Sequence, residues 1–189
     1  MRSEGGQQHG EEPERTRVFF SLWPAPEAAR RLSAVADSFA AAAGGRATRR
    51  ESIHLTLAFI GNVPVARLPE LERAAREVRG EPFALVLDRF AIWRHNRIFW
   101  AGSSIFPAVL TELSTALKAA SFAAGYPVAE APGNFVPHVT LARKVAVLDS
   151  VLPACEPTSW FNRKFFLVRS TPTADGSLYE NIAEFPLGA

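Results

Sequence analysis

Apolar positions along the chain switch between two periods. Arg17-Val-Phe-Phe-Ser-Leu-Trp23 is a run of aromatic and β-branched residues and predicts a strand. Pro24 and Pro26 follow. Ala28, Leu32, Val35 and Phe39 then recur every three or four residues, which predicts a helix over 25–43 closed by Gly44-Gly45. Ile53–Phe59 predicts a second strand. A charged helix over 67–79 turns Leu71, Ala75 and Val78 to one face, holds Pro69 in its first turn and stops at Gly80. Phe83–Leu87 and Arg97–Trp100 predict strands, with a linker over 88–96 that also holds the β-like Phe90, Ile92 and Trp93. Pro107 opens a helix with Leu110, Leu113 and Leu117 inward and Gly125 at its end. Val136–Ala142, Lys164–Val168 and Tyr179–Glu184 read as strands, the last two joined by the turn Ala174–Ser177. Residues 1–16 are polar and aperiodic and predict a disordered tail, which contains His9.

The pattern then repeats itself. Arg17-Val-Phe-Phe is echoed by Arg97-Ile-Phe-Trp, Ile53-His-Leu-Thr-Leu-Ala by Pro137-His-Val-Thr-Leu-Ala, and Phe83-Ala-Leu-Val by Phe165-Phe-Leu-Val, in the same order at nearly constant offset. Two copies argue for a pseudo-twofold domain rather than a solenoid. Strands flanked by two or three helices indicate an α+β class. The expectation is a bilobal duplication, with two antiparallel-rich sheets flanking a central groove and helices on the outside. Residues 17–189 form one domain, with repeats at 17–96 and 97–189.

Composition narrows the classes. The 189 residues are 48% hydrophobic and 21% charged, an ordinary globular balance. The single cysteine, Cys155, excludes an intramolecular disulfide and a four-cysteine zinc site. No apolar run reaches the roughly 18–20 residues of a membrane span. The N-terminal segment has no apolar stretch of the secretory kind, so the expected compartment is the cytoplasm and no membrane partner is expected. The net charge of +2 conceals a net −2 in residues 1–16, leaving +4 on the rest. This is a modest lean toward anionic partners.

The chemistry concentrates in two tetrapeptides of the form H-x-T-L. In a strand, residues i and i+2 share a face, about 6.6–6.8 Å apart. His54 and Thr56 therefore point one way, with Leu55, Leu57 and Phe59 opposite; His138 and Thr140 pair likewise, with Val139 and Leu141 opposite. Twofold symmetry would turn both polar faces to one bound group. Two imidazoles make an acid–base pair, and two hydroxyls can donate to phosphate oxygens. A metal is the rival reading, but two histidines are too few ligands and only Glu51 lies near either motif. No cofactor is expected.

Ser52-Ile-His-Leu-Thr-Leu-Ala-Phe-Ile-Gly61 and Pro137-His-Val-Thr-Leu-Ala-Arg143 resemble the paired motifs of the two-histidine phosphoesterase superfamily, and most of all its bacterial RNA 2′,3′-cyclic phosphodiesterase (2′-5′ RNA ligase) branch. The resemblance covers about residues 17–187. It implies a V-shaped groove and metal-independent hydrolysis of a 2′,3′-cyclic phosphate at an RNA end to a 2′-phosphate. It assigns His54 as general acid and His138 as general base, a choice the near-symmetric motifs leave open. RNA 3′ ends or small cyclic nucleotides are the implied partners of a monomer. Ligation in a 2′-5′ linkage, another cyclic substrate, and a groove that binds nucleotide without turnover are the competing readings.

The remaining candidates divide. Thr56, Thr140 and Arg143 are assigned to phosphate. Arg143 has the parity of Val139 and Leu141, so it reaches the groove only if the strand bulges or ends near Ala142. Arg17 faces the anion or is a surface cation. Phe19 and Phe135 stack a base or belong to the core. His95 sits in an exposed polar turn, and Cys155 has no histidine near it in sequence. Glu72 and Arg76 form a surface pair at i, i+4.

Overall fold

The computed structural model describes residues 14–126, 128, 135–147, 149, 151–174 and 176–188. His9, the first thirteen residues of the expected tail and Asp175 of the expected turn lie outside them. Strand β1 (Arg15–Leu22) already begins inside the segment read as tail. Helix α1 (Pro26–Ala43) buries Ala28, Leu32, Ala36, Phe39 and Ala43 along one stripe. Next come β2 (Arg46–Ala47), β3 (Leu55–Pro64), α2 (Leu68–Arg76), β4 (Phe83–Leu87), β5 (Arg89–Trp93) and β6 (Ile98–Gly102). Then follow α3 (Ala108–Ala123), β7 (Val139–Arg143), β8 (Thr158–Asn162), β9 (Lys164–Thr173) and β10 (Gly176–Pro186). The class is α+β, every strand pair is antiparallel, and α2 ends three residues earlier than the apolar period suggests.

One large sheet runs β10-β9-β1-β3-β7-β6-β5, with β2 added on β7; β4 and β8 make a separate pair. Among the described residues the large sheet is continuous only through the pair Leu55↔Val139, where β3 meets β7. Either side of that seam stands a sheet half, β10-β9-β1-β3 and β7-β6-β5. These spatial halves are not the two sequence repeats. β9 and β10, from the second repeat, complete the half that β1 and β3 begin, and β5 of the first repeat pairs with β6. The third sequence match is also corrected: Phe83 lies in β4, paired with β8, whereas Phe165 lies in β9, between β10 and β1. The match between Arg17-Val-Phe-Phe and Arg97-Ile-Phe-Trp is out by one residue. Phe20 pairs with Ala58, and Phe99 pairs with Ala142. These two phenylalanines, both fully buried, are therefore the equivalents.

Strict alternation fails at four places, one of them at Ile182 of β10, and two of the others correspond. Between Phe20↔Ala58 and Ser21↔Thr56, β3 carries one extra residue, Leu57. Between Phe99↔Ala142 and Trp100↔Thr140, β7 carries one extra residue, Leu141. Each is a β-bulge, which inserts a residue and re-aims those after it. Leu57 and Ala58 are both buried, as are Leu141 and Ala142. The next residues, Phe59 and Arg143, emerge on the opposite face from the one their parity predicts. The expectation that Phe59 shares the oily face is thereby overturned, and the parity objection to Arg143 is removed. A further bulge at Ile60 has no counterpart in β7.

The core collects on the face that carries Leu55, Leu57, Val139 and Leu141. There α1 packs on β7 and α3 on β3, and Ser114 Oγ donates to Leu57 O at 2.6 Å, occupying a carbonyl at the bulge. Phe39 of α1 stacks on Phe99 with ring centroids 3.8 Å apart. Among the described residues no helix is long and apolar enough to cross a membrane.

Gly45 sets the edge of β7. Its φ is +110°, and a Cβ there would stand 2.7 Å from Arg143 O. This close approach lets Arg46 pair with Arg143 and Thr48 N donate to Leu141 O at 2.7 Å. Gly45→Ala is expected to cost about 1–3 kcal/mol in denaturant unfolding, through strain at positive φ, and to lower affinity for phosphate by displacing the β2–β7 edge.

Candidate active site

Both histidines stand one residue before a central strand, His54 before β3 and His138 before β7. Their rings are anchored alike. His54 Nδ1 donates to Ser52 O at 2.7 Å, and His138 Nδ1 donates to Val136 O at 2.8 Å. A carbonyl only accepts, so each neutral ring carries its proton on Nδ1 and its lone pair on Nε2. On His54 that lone pair accepts from Thr56 Oγ1 at 3.1 Å. The i+2 spacing of the motif places the hydroxyl there, as alternation requires.

Aromatic walls hold the rings in place. Phe19 and Trp23 lie 4.9 and 5.3 Å from the His54 ring, and Tyr179 stands edge-on at 5.0 Å. Trp93 stands edge-on to His138 at 4.4 Å, with Trp100 at 6.4 Å. His54 is half-buried by surface area, yet these walls leave its ring little water. Burial therefore pushes its pKa down to about 4, against the Ser52 carbonyl, with the positive fields of Arg143 and His138 acting in the same direction as burial. A value near 4 leaves His54 neutral at physiological pH.

The anticipated residues line three adjoining cavities. His54, Thr56, Arg143, Arg17 and Phe19 line one of about 340 Å³. Thr140 joins His54 and Arg143 in a second. His138, Thr56 and Phe135 line a third of about 270 Å³, with Trp93, His95 and Asn96. Thr56 lines the cavities of both histidines. Phe19 is 3% exposed and packs on His54 and Tyr179, so it backs the imidazole and is too buried to offer a face to a base. Phe135 is half-buried, with Lys118 Nζ 4.7 Å from its ring centre. His95 is exposed at the rim. Cys155 stands apart; burial, helped by the charge of Asp88, pushes its thiol up, away from nucleophilic reactivity. Among the described residues no three His, Cys, Asp or Glu side chains come together as a metal cluster would require.

Sequence reasoning missed Arg46, Phe59, Ser170 and Tyr179, all on the cavity of about 340 Å³. Arg46 depends on a two-residue strand and Phe59 on a bulge, neither of which leaves a periodic signal. Ser170 and Tyr179 are paired residues of the β9–β10 hairpin, which extends beyond its apolar core. Arg49 Nη2 donates to Ser177 O at 3.1 Å and ties that hairpin to the groove.

A family model described as LigT like Phosphoesterase matches residues 22–100, which include the first histidine motif. The RNA 2′,3′-cyclic phosphodiesterase of Escherichia coli (strain K12) is 30% identical over 127 residues, 67% of this chain and 71% of that protein. The RNA 2′,3′-cyclic phosphodiesterase of Geobacillus stearothermophilus is 33% identical over 150 residues, 72% of this chain but 46% of that protein. The crystal structure of E. coli LigT complexed with 3′-AMP superposes with a TM-score of 0.84 at 25% identity, covering 93% of this chain and all of that one. LigT complexed with phosphate gives 0.80 at the same identity, covering 93% and 99%.

The low His54 value has a sign that can be tested. Its folded value lies below the ordinary 6.5, so the unfolded chain takes up the proton first. The neutral ring contributes stability that is fully present above about pH 6.5 and is lost as the pH falls to about 4. An NMR titration of the imidazoles is expected to place the His54 midpoint near 4. Inorganic phosphate is expected to move it upward, because an adjacent anion favours the imidazolium. A midpoint at the ordinary value would show that the walls admit water.

Proposed function

This chain belongs to the LigT-like phosphoesterase family, and we propose that it hydrolyses the 2′,3′-cyclic phosphate at an RNA 3′ end to a 2′-phosphate by acid–base catalysis between His54 and His138. The observation that carries this reading is the matched anchoring of the two rings. Each gives its Nδ1 proton to the carbonyl two residues upstream, which makes Nε2 the basic nitrogen of the neutral ring. Residues 17–189 act as one duplicated domain, and its two sheet halves, each carrying one motif, meet at Leu55↔Val139, residues at the same step of each motif. Bulges at Leu57 and Leu141, again at the same step, support it.

In the reaction one Nε2 takes a proton from water, and the water oxygen forms the new bond to phosphorus. The bond from phosphorus to the 3′ oxygen breaks, and the other imidazolium protonates that oxygen. Thr56, Thr140 and Arg143 donate to the non-bridging oxygens, where charge accumulates in the transition state. Phe135 and Trp93, beside His138, offer the terminal base an aromatic wall.

The family resemblance assigns His54 as the acid. An anionic substrate must then raise its pKa, so binding takes up a proton. A neutral His54 favours the exchanged assignment, with His54 as base and His138 as acid. A substrate with sulfur in place of the leaving 3′ oxygen separates the two, because a good leaving group needs no acid. Such a substrate rescues the alanine variant of the acid and not that of the base.

Replacing either histidine by alanine is expected to lower kcat by about 10²–10⁴-fold, with the circular dichroism spectrum unchanged. The assay is a short RNA ending in a 2′,3′-cyclic phosphate, resolved by product mass. Binding without product would make the groove a nucleotide-binding module instead. The pH–rate profile is expected to be bell-shaped, since one ring must lose its proton and the other keep it. Turnover is expected to persist in EDTA; its loss on chelation would revive a metal mechanism.

A further inference from the structure

The groove carries more positive charge than its reaction needs. Arg17, Arg46 and Arg143 all line the cavity of about 340 Å³ that holds His54 and Thr56. Among the described residues no carboxylate lines it, and none of the three arginines forms an ion pair. A cyclic phosphodiester brings one negative charge, which Arg143 and the two threonines answer. Arg17 and Arg46 are left over.

Both are positioned by the backbone. Phe59, turned into the groove by the Leu57 bulge, carries the Arg17 guanidinium 4.7 Å above its ring. Phe59 occupies the step in β3 that Arg143 occupies in β7, so Arg17 supplies on one side the charge that Arg143 supplies on the other. Arg46 is fixed by its pairing with Arg143 in the strand that Gly45 admits. The Ser170 side of the β9–β10 hairpin completes the wall.

We propose that Arg17 and Arg46 form a second phosphate subsite, which takes the backbone phosphate on the 5′ side of the terminal nucleoside. The inference rests on the function proposed above. An RNA that ends in a cyclic phosphate has no nucleotide beyond it, so its one neighbouring phosphate lies on the 5′ side. The substrate class is then the end of an oligonucleotide, in preference to a lone nucleoside cyclic phosphate.

The test has a binding arm and a turnover arm. Calorimetry compares adenosine 3′-phosphate with adenosine 3′,5′-bisphosphate at low and high salt. The bisphosphate is expected to bind at least about tenfold tighter, as a charge-assisted phosphate contact allows, and added salt narrows the gap. Arg17→Gln and Arg46→Gln each close part of the gap and the double variant closes it, whereas Arg73→Gln on α2 leaves it open. Equal affinities in the wild type, or a gap that survives the double variant, overturn the subsite. The turnover arm takes the ratio of kcat/KM for adenosine 2′,3′-cyclic phosphate with and without a 5′-phosphate. A ratio near one with both compounds cleaved overturns the subsite and leaves the activity standing. Cleavage of neither overturns the activity, and the affinities then decide the subsite alone.

Discussion

At Leu57 and Leu141 a central strand holds one residue more than its neighbour requires, and the groove follows from that surplus. Side chains alternate across a sheet, so a single inserted residue exchanges inside and outside for all that follow. Before the bulge, alternation sets Thr56 and Thr140 opposite the buried leucines. After it, Phe59 and Arg143 turn to the same side as the threonines. Without the insertions Arg143 would enter the core, where an unpaired charge is costly. The bulges are held by burial, since Leu57, Ala58, Leu141 and Ala142 are all packed beneath α1 and α3.

The groove then sets two tendencies against each other. Its aromatic walls exclude water from His54 and favour the neutral ring, while its arginines attract the anion that would favour the charged one. A ring balanced in this way responds to its ligand. On the assignment of His54 as the acid, the proton arrives with the substrate and passes to the leaving oxygen, which ties that ring's protonation to occupancy. The same exclusion of water strengthens every donor aimed at phosphate.

How much of this could be read in advance depended on whether a period survived. The three helices and the strands around both H-x-T-L motifs were legible because their apolar residues recur at 3.6 or 2. The motif pair itself was legible because a scarce residue type, histidine, recurs with threonine at one spacing. β8 was not, since it buries Thr158, Trp160 and Asn162 while Phe161 faces out. Asn162 is satisfied inside by accepting from Trp160 Nε1 at 2.8 Å and donating to Phe83 O at 3.3 Å, an arrangement no hydrophobicity pattern encodes. β2 is too short for any period, and β5 was hidden in a linker. The exchange of strands between sheet halves could not be read, because pairing is a long-range choice.

That exchange governs how the chain can fold. β1 (Arg15–Leu22) has its neighbour in β9 (Lys164–Thr173), far along the chain, and the wall of His54 needs Tyr179. Neither half of the polypeptide closes a sheet by itself. Assembly therefore waits for segments far apart in sequence to meet, and contacts between such distant segments make for slow folding. A chain cut before β9 would keep both His54 and His138 and yet lack the hairpin that walls the groove.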